Sequence, residues 1–205
     1  MVQDKIVNEL AGYFQISPNL LNVESHIVGE KVFDLQDKLE SCVVQEKQGN
    51  VTYHNETNDE IYVLNYEKLI QSLPAERKKN IKHCDFIVSC KNNFIVCNEL
   101  SFGNEKSKWP KAWKQMQSAI QILNKCDVLK NELHDISRKL CIFSCRRVEI
   151  KSPLAIADAF SIPSTLIKIV EERKWQSINS LGFKVFESDI IYYKNDGTLE
   201  FKQSC

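Results

Sequence analysis

Glycine, proline and methionine are scarce in this chain of 205 residues, which has six, five and two of them. So few glycines leave no glycine-rich loop to cradle phosphates. No GxSxG elbow or HExxH helix occurs either, so the common nucleotide-binding and hydrolase signatures are absent. Long apolar runs are missing too: nothing approaches the roughly 20 residues that span a bilayer, and no membrane partner is expected. The opening "MVQDKIVNELAGYF" carries acids early and has no small-residue cleavage site, so it does not read as a signal peptide and a cytoplasmic location is expected. Net charge is absent as well, because 27 basic residues balance 27 acidic ones. No global field therefore draws the molecule to nucleic acid or anionic lipid, and any such attraction must come from a local patch.

Cysteine is plentiful. Cys42, Cys84, Cys90, Cys97, Cys126, Cys141, Cys145 and Cys205 lie mostly inside apolar runs, and no CxxC pair occurs. They read as reduced core thiols, not as disulfides or a structural zinc site. A hydrophobic fraction of 43% and a charged fraction of 26% are those of an ordinary globular protein. The length suits one sizeable core, so one domain over residues 1–205 is expected.

Helical spacing of Ile6, Val7, Leu10, Tyr13 and Phe14 predicts a first helix ending before Pro18. "KVFDLQDKLESCVV" mixes periods, whereas "NVTYH" and "EIYVLNY" favour strands. "YEKLIQSLPAERKKNIK" predicts a short helix broken at Pro74 and followed by a basic run. A hairpin over residues 84–99, a helix over about 110–124 and a polar stretch to 139 come next. "KLCIFSC" reads as a buried strand. "SPLAIADAF" and "SIPSTLIKIVEERKWQSINSLG" read as helical, with Ser164 as a cap and Gly182 as a stop. "FKVFESDIIYYKNDGTLEFK" closes the chain as strands around the turn signal "NDG". The order predicts an α/β fold with one central mixed β-sheet flanked by helices, its core over about 60–205 and an N-terminal helical and strand extension over 1–60.

The hairpin raises a chemical question. In "CDFIVSCKNNFIVCNELS", a three-residue loop at Lys91, Asn92 and Asn93 makes residues equidistant from Asn92 face one another, which sets Asp85 opposite Glu99. Facing side chains have Cβ atoms about 4.5–5.5 Å apart, and like charges there are destabilising by up to about 1 kcal/mol. Apolar neighbours worsen the repulsion. Such a pair persists if one acid is protonated, if a basic side chain lies between them, or if a divalent cation bridges them. A two-residue loop at Asn92 and Asn93 instead slips the register and parts the acids.

"CDFIV", the turn, "FIVCNELS" and the helix "KAWKQMQSAIQIL" resemble the core of the PD-(D/E)XK, or restriction-endonuclease-like, nuclease superfamily over about 40 residues. The resemblance implies a restriction-endonuclease-like fold and hydrolysis of phosphodiester bonds in DNA, in restriction, defence or repair. It also implies Mg2+ or Mn2+ held by Asp85, Glu99 and the carbonyl of Leu100. The family's lysine position is Ser101 here, so the motif reads Glu-Leu-Ser. A lysine moved to the next helix is the family's known alternative; Lys106, Lys108, Lys111 and Lys114 are available, and Lys111, Lys114 and Gln115 share a helix face. Glu24, Glu30 and Glu40 are the candidates for a further acid from the N-terminal part. The rival reading is a catalytically inactive nuclease fold serving as a nucleic-acid-binding or protein-binding regulatory module, with a protein partner or a homodimer. A third makes the two acids part of a protein interface.

Two basic clusters, "ERKKNIK" and "SCRRVEIK", suit phosphate tracking or a solvated surface equally. Trp109 and Trp113 at i, i+4 spacing read as core or interface anchors before base-stacking platforms. His83, Cys84 and Asp85 do not make a triad, since strand neighbours point to opposite faces.

Overall fold

Residues 2–36, 41–45, 49–91, 93–102, 108–146 and 176–202 are described by a computed structural model. Helix α1 (Val2–Phe14) comes first and lays Ile6, Leu10, Ala11 and Phe14 into the core. Four strands follow: β1 (Ser25–Val28), β2 (Val32–Leu35), β3 (Val43–Val44) and β4 (Val51–Asn55). Strand β5 (Ile61–Asn65) runs directly into α2 (Tyr66–Gln71), because the Asn65 side chain accepts the Lys68 N–H and caps the helix. Pro74 separates α2 from α3 (Ala75–Lys78).

The hairpin of β6 (Phe86–Cys90) and β7 (Phe94–Phe102) precedes α4 (Trp109–Leu123) and α5 (Asp127–Asp135). Strand β8 (Arg138–Arg146), a helical turn at 176–179, and strands β9 (Lys184–Glu187), β10 (Ile190–Tyr193) and β11 (Leu199–Lys202) complete the described chain. The expected helices over 152–175, with their cap at Ser164, lie outside the described residues, as do Glu40, Lys106 and most of "SCRRVEIK". Gly182 ends the helical turn with a φ of +82°, and Gly197 closes the last hairpin with a φ of +77°.

The expectation of a single central sheet needs correction. There are two mixed sheets, a six-stranded one in the order β1-β5-β6-β7-β8-β9 and a five-stranded one in the order β11-β10-β4-β2-β3. The second forms because β10 pairs in parallel with β4 across a long stretch of chain. In the six-stranded sheet β7, β8 and β9 run parallel and the remaining neighbours are antiparallel.

Alternation along the hairpin strands divides the molecule into three layers. Ile87, Ile95, Cys97, Cys141 and Phe143 face a core shared with α1, α2, α4 and α5. Phe86, Val88, Phe94, Val96 and Ile142 face the second sheet and pack with Phe33, Val51, Tyr53 and Ile191. The β6–β7–β8 strands are thus buried on both faces, which makes them a rigid platform. A polar link crosses the inter-sheet core: the Tyr53 hydroxyl donates to Asn98 Oδ1 at 2.9 Å, and Asn98 Nδ2 donates to the Ser144 hydroxyl and the Ile142 carbonyl. Among the described residues no helix is long and apolar enough to cross a membrane.

Candidate functional site

The register of the hairpin decides whether the two acids meet. Cys90 pairs with Phe94, Val88 with Val96 and Phe86 with Asn98, and the Asn93 N–H returns to the Cys90 carbonyl at 2.9 Å. One step beyond the last pair, Asp85 falls on the line facing Glu99. Both share the parity of Ile87 and Cys97, so they lie on the α4 face of the sheet. Both are buried, at 7% and 6% exposure.

Backbone contacts fix Asp85 from two sides. Its Oδ2 accepts the Leu100 N–H at 2.5 Å. Its carbonyl accepts the N–H groups of Tyr66 and Glu67 in the first turn of α2, at 2.9 and 3.1 Å. The strand therefore ends against a helix start, and the carboxylate is tied across to β7. Ser101, buried at 9%, follows Glu99 by two residues on the same face.

Helix α4 covers this end of the sheet. Its first-turn Trp109 packs on Phe143 with ring centroids 4.5 Å apart, and Phe143 is the register partner of Glu99 on β8. Gln115 is buried, and its Nε2 donates to the His83 carbonyl at 2.8 Å, just before Asp85. Its Oε1 is buried without a hydrogen-bond partner among the described residues. Lys111, one turn earlier, is exposed but close enough to His83 to act on it: burial first and the Lys111 charge second push the imidazole pKa down. Lys114 is exposed, outside the Ala112–Gln115–Met116 contact stripe. Trp109 and Trp113 both pack against the helix-side core.

One residue near this corner, Glu67, escaped the sequence reading, and His83 beside it was weighed there only as part of a triad. Glu67 Oε1 lies 3.9 Å from His83 Nδ1. Glu67 stands beside Asp85 only because α2 starts on the Asp85 carbonyl, and no local spacing announces that contact. Cys84 is sealed in the core, where burial pushes its thiol pKa well up, so a nucleophilic role is excluded on physical grounds. The "ERKKNIK" cluster forms α3 and the turn leading to β6; Arg77, Lys78, Lys79 and Lys82 are exposed.

The N-terminal acids lie elsewhere. Glu30 is exposed in the β1–β2 turn. Glu24 precedes β1 in the row that continues through Asn65, Phe86 and Asn98, on the opposite face from the acid pair. Its Oε1 accepts the Cys42 N–H at 3.0 Å, and its Oε2 accepts Asn65 Nδ2 at 3.0 Å and Lys68 Nζ at 3.2 Å. Burial works to raise its pKa, but these hydrogen bonds outweigh it and hold the carboxyl at about 2.

Chemically, the corner offers two buried carboxylates, a buried amide oxygen and an exposed ammonium one helical turn away. The paired acids are hard oxygen donors of the kind Mg2+ and Mn2+ take. No protein-family model, curated protein or solved structure matches the chain.

Proposed function

We propose that the chain is a metal-dependent nuclease of restriction-endonuclease-like fold that hydrolyses phosphodiester bonds in DNA with Mg2+ or Mn2+. The observation that carries this reading is the hairpin register, which brings Asp85 and Glu99 to one buried corner of a platform packed on both faces. Two like charges there gain from a bridging cation what they lose by proximity. Asp85 and Glu99 would hold the ion, with the Leu100 carbonyl as a further oxygen.

When bound, the metal supplies Lewis acidity to the scissile phosphate and acidifies a water. The chain's own groups do the rest. The Leu100 N–H keeps the Asp85 carboxylate oriented. Gln115 Oε1 accepts a hydrogen bond from a water and orients it. Lys111 supplies the positive charge that Ser101 lacks. The exposed bases of α3 and its following turn track the phosphate backbone.

Ser101 favours a second reading, a nuclease fold that binds nucleic acid or a protein partner without turnover. Incubating the protein with single-stranded and double-stranded DNA in Mg2+ or Mn2+ separates the two. The first reading predicts cleavage that EDTA and Glu99→Ala abolish. Cleavage that survives Glu99→Ala overturns the site, and DNA binding without cleavage supports the second reading.

A further inference from the structure

On the sheet face away from the acid pair, three side chains from separate segments converge. Glu24 precedes β1, His26 lies within it, and Cys42 precedes β3. One carboxylate oxygen, one imidazole nitrogen and the Cys42 sulfur all lie within 4.8 Å of one another. Oε1 of Glu24 sits 3.5 Å from His26 Nε2. From these positions we infer a second metal site, in which Glu24, His26 and Cys42 bind a Zn2+-class cation. It is independent of the nuclease reading.

The donor set decides the class of ion. A carboxylate, an imidazole and a thiol together suit zinc, or cobalt as its spectroscopic substitute, and do not suit magnesium. Bond lengths of about 2.0–2.3 Å in a tetrahedron put donor atoms roughly 3.3–3.8 Å apart, so inward movements of about 1 Å complete the site. Three protein ligands leave a fourth position for water.

Supporting contacts already orient the ligands. Asn65 and Lys68 hold Glu24 through Oε2, which leaves Oε1 turned toward His26 and the Cys42 backbone N–H. Asn65 is itself anchored, since its N–H donates to the Glu24 carbonyl at 2.9 Å and its side-chain oxygen caps α2. Cys42 is fully buried, while the His26 side chain is 35% exposed, so the ion has a route in past the imidazole. On ligation the Cys42 S–H bond breaks, its proton leaves to solvent and the thiolate sulfur bonds the metal. The Lys68 ammonium competes for the same carboxylate but engages the other oxygen.

Cobalt titration of the full, EDTA-treated and desalted chain tests this. The expected result is visible ligand-field bands plus a near-ultraviolet thiolate-to-cobalt band that saturate at one equivalent and vanish on adding Zn2+. Cys42→Ser should remove the thiolate band, and His26→Ala should weaken binding about tenfold or more. Glu99→Gln should leave the thiolate-to-cobalt band in place. Absence of a thiolate band in the parent chain overturns the inference, and so does a band that survives Cys42→Ser. Should Cys42→Ser fail to fold by circular dichroism, the half-exposed His26→Ala decides, and unchanged cobalt affinity in that variant overturns the site.

Discussion

At the scale of single residues, part of the buried polar inventory is fully tied by hydrogen bonds. Asn98 is the clearest case, completely buried between the two sheets and bonded to Tyr53, Ser144 and the Ile142 carbonyl. Asn98→Leu keeps the volume but strands the Tyr53 hydroxyl and the Ser144 side chain. Each buried polar group left unsatisfied costs about 1–3 kcal/mol, so a loss in that range or above it is expected in urea denaturation. Glu24 sets the acid limb of stability. Its pKa is about 2 in the fold against 4.5 as a free side chain, so it stabilises fully above pH 4.5 and progressively less as pH falls toward 2. Solvent screening of the Lys68 pair leaves about 1–2 kcal/mol of that effect. Melting in EDTA between pH 7 and pH 3 should show it, and Glu24→Gln should flatten the profile over that range.

Among elements, helix α4 carries the functional argument. Gln115 points into the corner and is buried, whereas Lys111 and Lys114 are exposed, and of the two only Lys111 has an electrostatic effect on His83. If Lys111 supplies the missing charge, Lys111→Ala should lower the cleavage rate about 100-fold, and Lys114→Ala less than about threefold. Equal effects from both variants would remove Lys111 from the site.

Much of this level was legible beforehand. The β-branched runs on either side of Lys91 and Asn93 announced the hairpin but left two registers open, and the pairing of Cys90 with Phe94 is the one that sets the acids on facing lines. The apolar stripe through Ala112, Met116 and Ile120 announced α4. Other elements left no trace. In "SHIV", polar Ser25 and His26 mask β1, which the sheet itself induces by pairing with β5. In "DVLKNELHD", only Leu129 and Leu133 face inward, too weak a period to betray α5.

For the whole molecule, the six-stranded sheet is common to both cores, so neither layer can loosen without exposing the other. A single cooperative transition is expected, with tryptophan fluorescence, to which Trp109 and Trp113 on the helix side contribute, coinciding with far-ultraviolet circular dichroism. Separate midpoints would show that the five-stranded sheet unfolds by itself. This partition was not legible in the sequence, because it depends on the parallel pairing of β10 with β4. Nothing in "SDIIYY" or "NVTYH" names the other strand. The convergence of Glu24, His26 and Cys42 was hidden for the same reason.

The central claim is that Asp85 and Glu99 together form a cation seat. Mn2+ titration followed by electron paramagnetic resonance tests it without requiring turnover. One ion per chain is expected, with binding that weakens at least about tenfold in both Asp85→Asn and Glu99→Gln and stays unchanged in His26→Ala. Binding that is the same in both acid variants as in the parent chain, or no binding at millimolar Mn2+, would contradict it.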